Sequence, residues 1–181
     1  MKILAFAASN NKHSINRILV NYAANMVSGA NIEMLDIDDY EMPIFSDKRE
    51  NELGQPHKAK TFHQRVANAD AIIVSFAEHN GTYTAAYKNL FDWVSRIDSK
   101  VFQDKPVVYL ATSPGPGGAA NVLANAVSSA THFGADVKAS LSIPSFQKVF
   151  NTAENTFINL NVEKELQEII SQLEEADKIA A

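Results

Sequence analysis

The 181 residues suffice for one domain with a single substantial core, and 46% hydrophobic against 20% charged residues is an ordinary globular composition. The 16 basic and 21 acidic residues leave a net charge of -5 with no long block of either sign, which argues against an extended nucleic-acid surface. There is no cysteine, so disulfides, thiolate nucleophiles, iron–sulfur clusters and cysteine zinc sites are excluded, and redox chemistry would need a bound cofactor.

Met1 to Ala8 is too short an apolar run for a signal core or a membrane span and reads as a buried first strand over residues 2–8, so a cytoplasmic protein is expected. A polar loop, Ser9 to Ser14, precedes a helical pattern with Ile15, Ile18, Leu19, Tyr22, Ala23 and Met26 on one face, ending near Ser28-Gly29. Residues 31–37 alternate as a second strand. The long stretch from Asp38 to Gln55 has no clear period, and a loop of that length usually carries function or covers something. A helix from about Pro56 to Ala69 leads to the third strand, 70–75.

A polar corner, Glu78-His79-Asn80-Gly81, then opens a helix with Tyr83, Tyr87, Leu90, Phe91 and Val94 along one stripe. The fourth strand is Lys105 to Thr112. A glycine-rich turn, Ser113 to Gly118, starts a helix carrying Val122, Leu123, Ala126, Val127 and Ala130. A fifth strand spans 135–143, and a last helix places Val162, Leu166, Ile169, Ile170 and Leu173 on one face. Five βα units predict one α/β domain over residues 1–181: a three-layer, flavodoxin-like sandwich whose five-stranded parallel sheet has the order 2-1-3-4-5 and helices on both faces.

In such a sheet the loops after the first, third and fourth strands meet at the carboxyl edge, where ligands bind. In the first, the hydroxyls of Ser9 and Ser14 and the amide of Asn16 adjoin a helix start suited to a phosphate, with Lys12 or Arg17 to offset its charge. Ser14 is equally readable as a plain N-cap. In the second, Glu78, His79 and Asn80 offer donors and acceptors while Gly81 admits a flat ligand, although Asn80-Gly81 also reads as a simple turn. In the third, Gly115, Gly117 and Gly118 permit unusual backbone angles beside Ser113. Walker, dinucleotide-fingerprint and Gly-x-Ser-x-Gly patterns are missing. The five histidines, His13, His57, His63, His79 and His132, show no metal-ligand spacing beyond the loose His57/His63 pair.

With these loops in view, the sequence resembles the NADPH-dependent FMN reductase family of the flavodoxin-like superfamily. The family's Gly-Ser-x-Arg-x-x-Ser-x-Asn loop corresponds to Ala8-Ser9-Asn10-Asn11-Lys12-His13-Ser14-Ile15-Asn16. Its Pro-Glu-Tyr-Asn-Gly-Ser corner corresponds to Ala77-Glu78-His79-Asn80-Gly81-Thr82. Its Leu-Lys-Asn-x-x-Asp-Trp helix corresponds to Tyr87-Lys88-Asn89-Leu90-Phe91-Asp92-Trp93. The resemblance implies FMN as cofactor. Its phosphate would be held by Ser9, Asn11, Lys12, Ser14, Ile15 and Asn16, and its ring by Glu78, His79, Asn80, Gly81 and Thr82, closed by Ser113, Gly115, Gly117 and Gly118.

The resemblance further implies hydride transfer from NADPH or NADH to FMN and onward to a small acceptor such as free flavin, a quinone or an azo compound. It implies a homodimer or homotetramer with neither nucleic acid nor membrane as partner. No side chain is required as acid or base; His79, standing where the family has tyrosine, is the single candidate for a proton role. Asn11 replaces the family arginine and Ala77 its proline. Two other readings stay open on the residues: an FMN-binding electron carrier, and a scaffold with a degenerate flavin site.

Overall fold

In the computed structural model, which describes residues 1–180 and side chains through Glu174, the apolar runs form five parallel strands: β1 (Lys2–Ala8), β2 (Asn31–Leu35), β3 (Ala71–Phe76), β4 (Lys105–Thr112) and β5 (Ala135–Ile143). Their order is β2-β1-β3-β4-β5 (second, first, third, sixth and seventh if four short hairpin strands are counted). The central strands carry continuous apolar runs because both their faces are covered: all six residues of β3, and Ile3 to Phe6 of β1, are buried. The edge strands β2 and β5 mix in polar residues, as one side of each lacks a strand neighbour.

Helices cover both faces. On one side α1 (Ile15–Asn25) and α7 (Leu160–Ala180) bury Leu19, Val20, Ala23, Leu166, Ile170 and Leu173 against Ile3, Ala5, Ile73 and Val108. On the other, α3 (His57–Ala67), α4 (Ala85–Ser95) and α5 (Ala120–Ser129) bury Phe62, Val66, Leu90, Trp93, Val122 and Leu123 against Leu4, Phe6, Ile72 and Tyr109. The side-chain alternation of each strand feeds both cores at once. Of the residues expected on the α5 face, Val127 is instead exposed.

The structure differs from the sequence reading where segments are short or polar. Strand β2 stops at Leu35 rather than residue 37, because the Asp36 carboxylate accepts from the Asp38 amide and starts a 3-10 turn, Ile37–Tyr40. The long irregular stretch contains a helix, α2 (Asp47–Leu53), capped by Ser46 Oγ accepting from the Arg49 amide; it buries no side chain, so it leaves no hydrophobic period. A hairpin of two-residue strands, Glu78–His79 and Thr82–Tyr83, replaces the first turn expected of the helix after β3, so Tyr83 lies on that hairpin and not on α4. A short helix, α6 (Phe146–Val149), and a second small hairpin, Phe150–Asn151 with Thr156–Phe157, connect β5 to α7. Among the described residues no helix is long and apolar enough to cross a membrane.

Candidate functional site

The order β2-β1-β3-β4-β5 reverses direction at β1, and the loops leaving β1, β3 and β4 share one sheet edge. Buried side chains lock these loops to one another. The Asn16 amide accepts from Ser75 Oγ (2.8 Å) and from the Thr112 amide (3.0 Å) through its oxygen, and donates to the Thr112 carbonyl (3.0 Å) through its nitrogen. One residue of α1 thereby ties together the ends of β3 and β4. Thr84 caps α4 by accepting from the Tyr87 amide (3.2 Å) and donates to the Ala8 carbonyl (3.0 Å), which joins the second loop to the first.

The second and third loops are joined by Glu78. Its Oε2 accepts from the Val122 amide (2.9 Å), the third residue of α5. That is the bond an N-cap side chain would make, and the residue at the cap, Ala119 in a left-handed conformation, has none to offer. A carboxylate is also favoured there by the positive end of the helix. Glu78 is therefore an anchor between the hairpin and the glycine-rich turn.

In the first loop the two readings of Ser14 separate. Ser14 occupies the N-cap position of α1 but makes no side-chain capping bond. Its hydroxyl stands free beside the first-turn amides of Ile15 and Asn16, which have no carbonyl one turn earlier to bond. Ser9 Oγ accepts from the Asn11 amide (3.2 Å), and Asn11 Oδ1 accepts from the His13 amide (2.9 Å), so Ser9 and Asn11 shape the loop from within. The two cations also divide. Arg17 pairs with Asp36, whereas Lys12 has no ion-pair partner among the described residues. Lys12, His13, Ser14 and Arg17 line one end of a groove of about 590 Å³ that runs along α1 toward Asp36 and Asn155.

The hairpin turns through Asn80 (φ 52) and Gly81 (φ 80), two consecutive left-handed residues as a type I′ turn requires. His79 and Thr82 pair across it, and residues 79–82 are all exposed at the sheet edge. In the glycine-rich turn, Ser113 Oγ donates to the Gly115 carbonyl (3.2 Å), and that carbonyl also accepts from the Ser145 amide (2.9 Å). A Cβ at Gly115 or Gly117 would meet nothing within 4 Å, so their backbones face open space. Gly118 is different: a Cβ there would lie 2.4 Å from Ser142 Oγ, so this glycine serves packing against the end of β5.

Three contributors escaped the sequence reading in these roles. Asn89 Oδ1 accepts from the Phe45 amide (2.8 Å) while Nδ2 donates to the Met42 carbonyl (3.0 Å), and Trp93 Nε1 donates to the Pro43 carbonyl (2.7 Å). These bonds clamp the 42–45 segment onto α4, with Lys88 and Asp92 paired one turn apart on its exposed side. The clamped segment forms, with Asn10 and Ala85, one wall of a second cleft of about 270 Å³. Thr84 is the third contributor. Its signal was positional only, a threonine immediately before an apolar helix.

The sequence pattern describing NADPH-dependent FMN reductases matches residues 1–148, which include all five strands and all three loops. The chain belongs to the NADPH-dependent FMN reductase family. It is similar to an NADPH:quinone oxidoreductase of Arabidopsis thaliana, 30% identical over 122 residues that cover 65% of this chain and 61% of the relative. It is likewise similar to an NAD(P)H-dependent FMN reductase of Pseudomonas aeruginosa, 30% identical over 121 residues covering 66% and 64%. The match thus spans less than two thirds of the length of these curated relatives. In fold it superposes on a flavoenzyme NAD(P)H:(acceptor) oxidoreductase of Paracoccus denitrificans with a TM-score of 0.78, at 22% identity and covering 98% of this chain and 97% of that one.

Within the matched region, the motif residues have distinct physical roles. Asn16 and Glu78 spend their side chains on bracing loops, and Asn89 and Trp93 on clamping a segment. Lys12 is exposed and the open glycines face free space, while Ser14, largely buried, keeps its hydroxyl out of any capping bond.

Proposed function

We propose that the chain is an FMN-dependent NAD(P)H oxidoreductase passing electrons to a small acceptor, a quinone or free flavin foremost and azo compounds as a further class. The observation that carries this reading is Ser14. It sits in the family's phosphate loop, at a helix start, with its hydroxyl unused for capping. Beside it lie unbonded first-turn amides and a lysine without a carboxylate, which together make an anion site.

The residues present fit the cofactor. Ser14, the amides of Ile15 and Asn16 and the Lys12 ammonium would hold the phosphate, with Ser9 and Asn11 fixing the loop. The exposed backbone of His79 to Thr82 would face the ring on one side, and that of Ser113, Gly115 and Gly117 on the other. Gly118 contributes by letting the turn approach β5, and Glu78 by holding the two walls at a fixed separation. Bound FMN supplies the redox chemistry, accepting hydride from a reduced nicotinamide and passing the electrons on. The protein's part is placement: two rings must stack over one edge, and a braced edge keeps them in register. No nucleophile is needed, and His79 is the one exposed titratable side chain beside the ring position. A cytoplasmic homo-oligomer is part of the same reading.

An absorbance spectrum of the purified protein with added FMN tests the reading, followed by anaerobic NADPH or NADH. Flavin binding and rapid bleaching are expected. A flavin that stays oxidised would reassign the protein as an electron carrier, and failure to bind FMN at all would reassign it as a scaffold.

A further inference from the structure

A cavity of about 130 Å³ lies between α4 and α5, beside the hairpin and walled mainly by the rings of Phe76, Tyr83, Tyr87, Phe91, Tyr109 and Phe133. Those rings already meet edge to face, Phe76 with Tyr109 at 5.1 Å and Phe91 with Phe133 at 4.7 Å between centroids. On the α5 side the wall is small: Ala126, Ser129 and Ala130. The phosphate loop and the glycine-rich turn contribute nothing to it, so it is separate from the site described above.

Its distinguishing feature is polar. Tyr87 and Tyr109 are 4% and 1% exposed and both line the cavity, and no protein group among the described residues bonds either hydroxyl. Among the described residues the one fully buried side-chain polar atom without a partner is His63 Nε2, so the two hydroxyls are reachable from the cavity and free to bond what enters it. Burial drives both phenols far above their ordinary range, with neighbouring tyrosines adding to the shift, so both remain protonated donors at neutral pH. At the mouth, the Lys88 ammonium is held by Asp92 at 2.6 and 2.8 Å, which leaves no free cation to receive an anion.

Size and lining then define the occupant. An apolar cavity of roughly 150 Å³ accepts one benzene ring, so this one admits a single ring and excludes a flavin or a nicotinamide dinucleotide. Ring edges and faces select an aromatic body, and hydroxyls open to the cavity select an oxygen on it. We propose that the cavity binds a neutral monocyclic phenol, its ring packed among Phe76, Phe91 and Phe133 and its oxygen hydrogen-bonded to the Tyr87 and Tyr109 hydroxyls. The proposal does not depend on the flavin reading.

Calorimetric titration of the full chain with phenol, with and without FMN, tests it. One saturable site per chain is expected, unaffected by FMN. Tyr87→Phe and Tyr109→Phe each remove only a hydroxyl without a protein partner, so both variants fold, and each should bind phenol roughly 3- to 10-fold more weakly. Ala126→Leu fills the cavity and should abolish binding. Four results would overturn the proposal: no saturable heat, wild-type affinity in both tyrosine variants, wild-type binding in Ala126→Leu, or competition with FMN. If instead a second copy's side chain fills the cavity, phenol will not bind the assembled protein, which overturns it as well.

Discussion

Replacing Asn16 by Ala would delete an amide that makes three buried hydrogen bonds and would leave Ser75 Oγ and both main-chain groups of Thr112 without partners. An unsatisfied buried group costs about 1–3 kcal/mol, so a loss of about 3 kcal/mol in urea unfolding is expected. Ser14→Ala, two residues away, should behave oppositely. Its hydroxyl caps nothing, so stability should move by less than about 0.5 kcal/mol, while FMN affinity falls roughly 10- to 100-fold through one lost charge-assisted bond. Equal effects of the two variants on either readout would remove the distinction between brace and ligand. The sequence displayed both residues in one motif and offered no means of separating them. Nor did it reveal Asn89, because its partners are the main-chain groups of Met42 and Phe45, more than 40 residues away, and a carbonyl leaves no mark on side-chain identity. Ser14 and Lys12 stand out in the sequence as a proposed phosphate site because the signal is local, a helix start directly after a strand.

At the scale of elements, legibility followed length and burial. The five strands and the long helices announce themselves through apolar runs and faces, since each must cover part of one of the two cores. The polar α2, the four-residue α6 and the 78–83 hairpin have no such obligation, and only their caps and turn residues betray them. The hairpin is the costliest of these omissions, because it turns a helix start into a rigid arm with its own anchor. Glu78→Ala should free the Val122 amide, whose exchange with solvent deuterium should accelerate, and should lower stability by about 1 kcal/mol, the usual value of a helix cap. Glu78→Gln keeps an acceptor and should fall between the two. Unchanged Val122 exchange in Glu78→Ala would show that the hairpin and α5 are held together by other means. Gly81→Ala addresses the arm itself: at φ 80 an added Cβ costs about 1 kcal/mol, although it meets no other atom.

Across the whole molecule, ionisable contacts fasten the outer layers, and pH should release them at opposite ends of the scale. On the β2 edge, Glu33 is raised by burial as the largest single influence. Lys2 (2.9 Å) and Arg65 together outweigh that, so its carboxyl lies below the ordinary value of 4.5. A depressed acid contributes stability that is complete above its unfolded pKa and disappears as pH falls through the folded one. Glu33→Gln should therefore flatten the acid limb of the unfolding free energy below about pH 4.5. On the opposite face, α1 and α7 are joined where the Tyr22 hydroxyl donates to Glu163 and the Ser28 amide donates to Glu174 (3.1 Å). Burial first, and then the bond to Glu163 and its charge, raise the Tyr22 phenol from 10.0 to about 12. Here the protonated form is the one the fold prefers. Its contribution is complete below pH 10, and it is lost between pH 10 and about 12. Other phenols and the lysines titrate in the same window, so the decisive quantity is the difference between wild type and Tyr22→Phe rather than either curve alone. Wild-type stability should fall more steeply over that interval, and the two curves should converge above it as the Tyr22 bond to Glu163 is lost. Curves that stay parallel from pH 9 to 12 would show that α7 is held by its apolar face, through Leu166, Ile170 and Leu173, without help from the hydroxyl.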